Sequence, residues 1–541
     1  MLLEPVELQF AAAVRRLAYA NPYDAAAQLA ARRDAGECDV GLAAEEARLP
    51  PLGFNADSPT DPAADPVLDR ICRRVEALLA ALAPRLKSGA AEPSRLEREA
   101  YEDLVVAALY MRHFAALDPL PADREPEAVL ALFRRYREYH ARWTRVPFPL
   151  LEYLERPEHS FAVNYQHRLA VALLHTSIRG ESRPAVRLRA AIWHSIFPRE
   201  MRWYGVLLYE RMHEVTTLIL GPSGTGKELV AGAIGLARFV PFDAKRGRFT
   251  EPFAGAFHAI NLSAMPRDLI ESEMFGHAAG AFTGAARERE GWFEKCKRGH
   301  TVFLDELGEL EEPVQVRLLR VLQSREFYRV GEAEPRRFEG RVIAATNRDL
   351  NRLIAEGAFR EDLYFRLCSD VIRTPTLAEQ LEDSPEELPQ LIAHAAGRCL
   401  GAKGAPEFVE QLARETLDWI ERSPAMGLGY AWPGNFRELE QCVRSVMVRG
   451  EYHPPARPMI AASAAATAST PTARPEASAL DAFAADVRGG RLSFDELLER
   501  YCSLIASRCG SLAETARRLQ KHRATIQSRI KPEWVERFGE G

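Results

Sequence analysis

The chain has 541 residues, enough for roughly three or four folding units. Its 71 Lys and Arg against 76 Asp and Glu leave a net charge of −5, which excludes a global basic field and confines any DNA contact to a local patch. With 47% hydrophobic and 27% charged residues the composition is globular, and no window nears the ~20 apolar residues of a membrane helix, so no membrane partner is expected.

Acids at Glu4 and Glu7 stand where an export signal would carry positive charge. The eight cysteines, Cys38, Cys72, Cys296, Cys368, Cys399, Cys442, Cys502 and Cys509, form no C-x-x-C pair, so neither a zinc ribbon nor a disulfide framework is signalled and a cytoplasmic location is expected. Residues 1–195 read as a mostly helical regulatory domain. Asp65 and Pro66 can open a helix in which Val67, Leu68, Ile71, Val75, Leu78, Leu79 and Leu82 recur at helical spacing until Pro84, where the pattern is expected to stop. Val129, Leu132, Phe133, Tyr136 and Tyr139 repeat that logic after Pro126. No receiver-like alternation of strands and no phosphoacceptor set is visible there, and the stripes state no chemistry beyond a packed core.

From about residue 196 strands alternate with helices, the pattern of a parallel sheet covered on both faces. Thr216 to Leu220 reads as a strand running into Gly221, Pro222, Ser223, Gly224, Thr225, Gly226, Lys227 and Glu228 and then a helix, for which Leu229, Val230, Ala233, Ile234 and Ala237 supply a buried face. Glycines there let backbone N–H groups surround phosphate oxygens, and Lys227 adds a point charge on the outer phosphates. Glu228 replaces the Ser or Thr that commonly ligates magnesium at this place. The strand Thr301 to Asp305 ends in Asp305 and Glu306, which points to Asp305 beside Mg2+ of Mg-ATP and Glu306 beside the attacking water. A third strand from Arg341 ends in Thr346 and Asn347, a polar pair able to position the same water. Together they predict ATP hydrolysis, with nucleotide sensing without turnover as the other reading.

Between these motifs Gly280 to Ala285 reads GAFTGA, and glycines bracketing one ring and one hydroxyl suit an exposed probe. The hexapeptide resembles the signature loop of bacterial enhancer-binding proteins, the AAA+ activators of sigma-54 RNA polymerase. Asn261 in Ala259-Ile260-Asn261-Leu262, the segment Phe359 to Leu367, and Trp432 to Leu439 match further family segments in order, and the resemblance spans about residues 205–450. It implies an α/β AAA+ P-loop subdomain at 196–375, a helical lid at 376–452 and a hexameric ring. It also implies that Phe282 and Thr283 contact the sigma factor, that Arg360 and Arg366 on a helical segment act as fingers on a neighbour's nucleotide, that Arg437 senses the γ-phosphate, and that Asn261 relays phosphate state to Glu306. Three departures stand out: Pro222 after the first loop glycine, a lengthened segment from Phe242 to Ala256, and Leu377-Ala378-Glu379-Gln380 where an arginine pair is usual.

Residues 453–480, rich in Ala, Ser, Thr and Pro, read as a flexible linker. Beyond it, at 481–541, Ser493 with Glu496 and Ser511 with Glu514 suggest capped helices. Leu497, Leu498, Tyr501, Leu504 and Ile505 stripe the first up to Gly510; Leu512, Thr515, Ala516 and Leu519 mark the second; Gln520 to His522 turn toward a third. Arg517, Arg518, Lys521, Arg523, Arg529 and Lys531 against Glu514 make the patch locally basic. The module resembles a Fis-type helix-turn-helix domain for double-stranded DNA, with Arg523, Ala524, Thr525, Gln527, Arg529 and Lys531 as its contacts; a basic helical hairpin is the plainer reading. The whole chain therefore reads as a sigma-54-dependent activator that binds upstream DNA and remodels the closed complex of sigma-54 RNA polymerase holoenzyme by hydrolysing ATP. Its rivals are a nucleotide-assembled repressor or scaffold and a remodeller of some other protein.

Overall fold

The N-terminal stripes fold as helices in a computed structural model that describes residues 2–37, 66–87, 92–114, 116–117, 126–283, 285–401, 405–423, 426, 430–454, 483, 486, 492–509, 511–519 and 521–539. The helices are α1 (Pro5–Tyr19), α2 (Ala25–Glu37), α3 (Pro66–Lys87), α4 (Arg95–His113), α5 (Pro126–Thr144), α6 (Glu152–Glu155), α7 (Pro157–Ser177), α8 (Arg183–Ile196) and α9 (Met201–Val206). Prolines in the first turns of α1, α7 and α8 suit positions whose N–H has no helical partner. Val67, Ile71, Val75, Leu79 and Leu82 of α3 and Val129, Leu132, Phe133, Tyr136 and Tyr139 of α5 are buried, as their spacing predicts. Pro84 does not end α3: the helix runs on to Lys87, because the extra turn buries Leu86 and so offsets the backbone bond that proline cannot make.

Nine strands follow among the described residues: β1 (Thr217–Leu220), β2 (Phe242–Asp243), β3 (Arg248–Phe249), β4 (Phe257–Asn261), β5 (Thr301–Asp305), β6 (Glu326–Phe327), β7 (Arg336–Arg337), β8 (Arg341–Thr346) and β9 (Asp370–Arg373). Five pair in parallel in the order β4-β5-β8-β1-β9. Every residue of β8 is buried, which requires helices on both faces of the sheet. The helices of this part are α10 (Lys227–Leu236), α11 (Arg267–Phe275), α12 (Trp292–Lys295), α13 (Glu312–Ser324), α14 (Leu350–Ala355) and α15 (Glu361–Leu367). Leu218, Leu304 and Ala344 pack with Phe275 of α11 and Leu318 of α13 on one face. Ile219, Phe303 and Ile343 pack with Val230 and Ile234 of α10 on the other, and Ile192 and Trp193 of α8 join them.

Packing is thus continuous across residue 195, and Met1–Pro454 form one compact unit. The lengthened segment from Phe242 to Ala256 adds to that continuity. Its β2–β3 hairpin seats Phe242 against Phe133 at 4.9 Å and Phe161 at 4.8 Å between ring centroids, and Phe249 against Tyr165 at 4.5 Å. The lid follows as α16 (Leu377–Asp383), α17 (Leu388–Leu400), α18 (Pro406–Arg422) and α19 (Asn435–Arg449), which close on Leu391, Ile392, Leu439 and Val443.

The second unit, Pro455–Gly541, contains α20 (Phe494–Arg508), α21 (Leu512–Arg518), α22 (Arg523–Gln527) and α23 (Pro532–Gly539). Ser493 and Glu496 do form a capping box. Ser511 accepts from the Glu514 N–H, while the Glu514 carboxylate turns to Arg517. Tyr501 is exposed and Cys502 and Ser503 are buried instead, so the inward face of α20 lies one position beyond the leucine stripe; α23, absent from the sequence reading, packs along α20. Residues 455–480 of the expected linker lie outside the described residues, as do Cys38, Asp65, Gly284, Gly510 and Gln520.

Candidate ATPase site

Because β1, β5 and β8 run in parallel, their carboxyl ends bring Leu220, Asp305 and Thr346 to one edge of the sheet, where crevices in such sheets form. The phosphate loop leaves β1 there. Gly224 and Gly226 take φ of 79° and 85°, conformations that favour glycine. Lys227 at the start of α10 is buried, and its Nζ donates to the carbonyls of Gly221 at 3.0 Å and Pro222 at 3.2 Å. Thr225 donates to the Pro222 carbonyl at 2.8 Å and lies 2.7 Å from the Thr374 hydroxyl. Burial lowers the Lys227 pKa, while the carboxylates of Glu306 and Asp305 act in the opposite sense and Arg437 adds to the lowering. The four charges therefore share one field.

Glu306 has φ 58°, a left-handed conformation uncommon for a residue with a Cβ and found at functional sites. Its Oε2 lies 3.4 Å from the Asn347 backbone N–H, and its own N–H donates to Asp305 Oδ1 at 3.0 Å. Asn347 is exposed beside this carboxylate, but Thr346 is only 1% exposed and its hydroxyl accepts from the Arg348 N–H. Thr346, buried like the rest of β8, braces the turn through that bond, so it is not the exposed water-positioning partner expected. Asn261 lies opposite Asp305 in the sheet, yet its Oδ1 accepts from the N–H and hydroxyl of Ser263. That turn occupies Asn261 Oδ1, while Asn261 lines the same cavity as Glu306.

The lid meets the phosphate loop directly. Asn435 Nδ2 donates to the Ser223 carbonyl at 2.9 Å, the Phe436 N–H donates to the Gly224 carbonyl at 3.1 Å, and Arg437 Nη1 lies 3.4 Å from Ser223 Oγ. A Cβ on Gly224 would sit 2.2 Å from the Gly434 carbonyl oxygen, so this approach needs glycine. Sequence reading quoted Asn435 only as part of a motif and missed Thr374. It also missed the far end of the cavity. That cavity, of about 370 Å³, runs from Lys227, Glu228, Asp305 and Glu306 to Ile178 and Leu188, side chains that no local motif marks. Leu229 lines it and is 42% exposed, which corrects its assignment to the buried face of α10. Asp305 and Glu306 are hard oxygen donors facing a phosphate cradle, a set that suits Mg2+ held jointly by carboxylate and phosphate oxygens.

Arg360 precedes α15 as its N-cap rather than lying within it, and pairs with Asp362 at 2.8 Å and Glu312 at 3.4 Å. Arg366 is exposed in the last turn. The GAFTGA turn is closed by the Gly280 N–H to the Ala285 carbonyl at 2.8 Å and the Ala285 N–H to the Phe282 carbonyl at 3.0 Å. It leaves Phe282 and Thr283 exposed, with the Phe282 ring edge-on to His277 at 5.0 Å.

Residues 207–373 match the Sigma-54 interaction domain. Similar proteins include the DNA-binding transcriptional regulator NtrC of Azospirillum brasilense, 44% identical over 247 residues, which are 46% of this chain and 46% of that protein. The Nif-specific regulatory protein of Azotobacter vinelandii is 41% identical over 48% of this chain and 45% of its own length. The chain thus spans about half the length of the curated relatives it matches. A crystal structure of NtrX from Brucella abortus aligns over 80% of this chain and 85% of that one at 21% identity and a TM-score of 0.37, too slight a likeness to carry weight.

In the second unit Arg523, Ala524, Thr525 and Gln527 are exposed along α22. Arg529 and Lys531 instead pair with Asp495 at 2.5 Å and Glu499 at 3.5 Å on α20. Two of the six expected DNA contacts are therefore engaged within the unit.

Proposed function

We propose that the chain is a ring-forming AAA+ ATPase that binds upstream DNA and uses ATP hydrolysis to remodel the closed complex of sigma-54 RNA polymerase. The observation that carries this reading is an exposed Phe282-Thr283 turn in the same domain as a P-loop whose lysine shares one field with Asp305, Glu306 and Arg437.

In this reading the loop from Gly221 to Gly226 surrounds the phosphates with backbone N–H groups and Lys227 holds the outer ones by charge. Asp305 would hold Mg2+, whose charge neutralises the transferring phosphate when bound. Glu306, oriented by the Asn347 N–H, accepts the proton of the attacking water. Arg437 reports phosphate occupancy to the lid through its neighbour Asn435. Arg360 and Arg366 of an adjacent protomer stabilise charge on the phosphoryl group, so turnover depends on a hexameric ring. Phe282 and Thr283 contact the sigma factor, and α22 enters the major groove with Arg523, Ala524, Thr525 and Gln527 leading while Arg529 and Lys531 act near the backbone. The helices before α8 regulate the ATPase, and the chain works in the cytoplasm.

The test is binding of purified sigma-54 to the full chain on gel filtration, with and without a transition-state analogue of ATP. Co-elution that needs the analogue and is lost in Thr283→Ala supports the proposal. A wild-type protein that forms rings with the analogue yet never retains sigma-54 overturns it.

A further inference from the structure

We propose that a cleft at the amino ends of the sheet strands is a binding site for a small monocarboxylate with an apolar body. The cleft, of about 280 Å³, reaches Thr301 at the start of β5 and Arg341 at the start of β8. The phosphate loop and Asp305 lie at the opposite, carboxyl ends of the same sheet, and no residue lines both this cleft and the nucleotide cavity.

One charge in the cleft is unmatched. Arg341 is only 6% exposed, and its Nη2 donates to three neutral oxygens, the Ser195 carbonyl and hydroxyl at 2.8 and 2.9 Å and Thr217 Oγ1 at 2.9 Å. Its Nε is buried without a hydrogen bond, while Nη1 also makes none and keeps accessible surface. Asp370, the carboxylate that acts on it, stands behind Thr217, whose hydroxyl donates to Asp370 Oδ2 at 3.2 Å. Among the described residues no carboxylate pairs with this guanidinium within 4.0 Å. Burial lowers its pKa to about 10, which leaves it charged at pH 7. A buried charge without a counter-ion is costly, and Nη1 is the donor open to one.

The other charges bordering the cleft are matched. Arg238 pairs with Glu251 at 3.0 Å and Arg298 with Glu210 at 3.3 Å, and all four line it. His213 lines it too, but burial first and Arg325 next lower its pKa, so it is neutral at pH 7. The carbonyl end of α10 also borders the cleft, and there Gln166 Nε2 already occupies the Ala237 carbonyl at 2.8 Å. One positive charge is left for a guest, which suits a carboxylate better than a phosphate dianion. The remaining wall includes Ile196, Tyr204, Tyr209, Met212, Ile234 and Phe239, apolar faces that suit a ring or short hydrocarbon. A dry cavity of roughly 150 Å³ accepts one benzene ring, so this larger cleft has room for a ring with its carboxylate, one oxygen of which would accept a charge-assisted bond from Nη1.

Titration calorimetry on the full chain without ATP tests the site, with phenylacetate, benzyl alcohol, benzylamine and inorganic phosphate as probes. Saturable binding of phenylacetate is expected, about ten-fold tighter than benzyl alcohol, with phosphate weaker and no binding of benzylamine. Thr250 borders the cleft and is exposed, so Thr250→Trp should obstruct the cleft and abolish binding while keeping the wild-type circular dichroism spectrum. Arg341→Met should erase the preference for the carboxylate over the alcohol; because Arg341 is buried, Thr250→Trp decides the matter if that variant does not fold. Lys227→Ala should bind phenylacetate as the wild type does, since the phosphate loop is not the site. Absence of saturable phenylacetate binding, equal or tighter binding of benzyl alcohol or phosphate, undiminished binding in Thr250→Trp, or loss of binding in Lys227→Ala would each overturn the proposal. A chain that binds phenylacetate but never hydrolyses ATP would count against the ATPase proposal and not against this site.

Discussion

Asn435 ties the lid to the phosphate loop: its Nδ2 donates to the Ser223 carbonyl at 2.9 Å while its Oδ1 accepts from the Leu377 N–H at 3.0 Å. With φ 53° at the first turn of α19, it serves the loop and the first lid helix through one amide. Asn435→Ala should therefore weaken ATP binding on the order of ten-fold and cost about 1–3 kcal/mol of stability, since the buried Leu377 N–H and the Ser223 carbonyl both lose their bond. Titration with a fluorescent ATP analogue, beside thermal unfolding, checks both. Unchanged affinity would remove Asn435 from the coupling between lid and loop.

Lys227→Ala should abolish nucleotide binding, because it removes the one ammonium at the phosphate loop, whereas Glu306→Gln should bind ATP and stop turnover. Radiolabelled ATP binding and hydrolysis on the purified variants distinguish the two roles. Full hydrolysis by Glu306→Gln would exclude that carboxylate as the base.

The legible parts of this molecule were those whose chemistry is local. Strand ends carrying Asp305 and Glu306, the glycines around Lys227, and the helical stripe of α5 each declare themselves within a few residues. Ile178 and Leu188 reach the same cavity from distant segments, and Thr374 braces Thr225 from β9's end; only the paired sheet and the seat of α8 bring them there. Thr346 shows the converse: its type and place suited catalysis, but it is buried and its hydroxyl accepts from the Arg348 N–H. Likewise the basic charges of Arg529 and Lys531 were visible, while their pairing with Asp495 and Glu499 depended on how the helices pack.

Arg360→Ala should leave ATP binding intact and lower hydrolysis on the order of a thousand-fold, because its guanidinium would act on a neighbour's phosphate. Mixed rings with Lys227→Ala contain interfaces with one competent half from each variant, so mixing should restore activity. Mixed hexamers confirmed by light scattering that remain inactive would contradict action in trans.

The N-terminal helices should be acid-sensitive. Burial holds His140 at about 4, His167 at about 3 and His175 at about 4, below the ordinary value near 6.5. The unfolded chain then binds more protons than the folded one in that window, so stability is present above pH 6.5 and is lost as pH falls toward 4, by up to about 1.4 kcal/mol per pH unit for each group. Thermal unfolding from pH 7 to 5 should show a falling midpoint, with a shallower slope in His167→Phe. Equal slopes in the two proteins would mean that His167 is not held neutral.

Open-complex formation by sigma-54 RNA polymerase on a closed promoter, measured beside ATP turnover for wild type, Phe282→Ala and Thr283→Ala, tests the central claim most directly. The exposed turn lies outside the phosphate-binding groups, so its variants should retain ring assembly and near-normal hydrolysis while failing to open the promoter. Full promoter opening by both variants would contradict the role given to Phe282 and Thr283 and, with it, the account of what the hydrolysis is for.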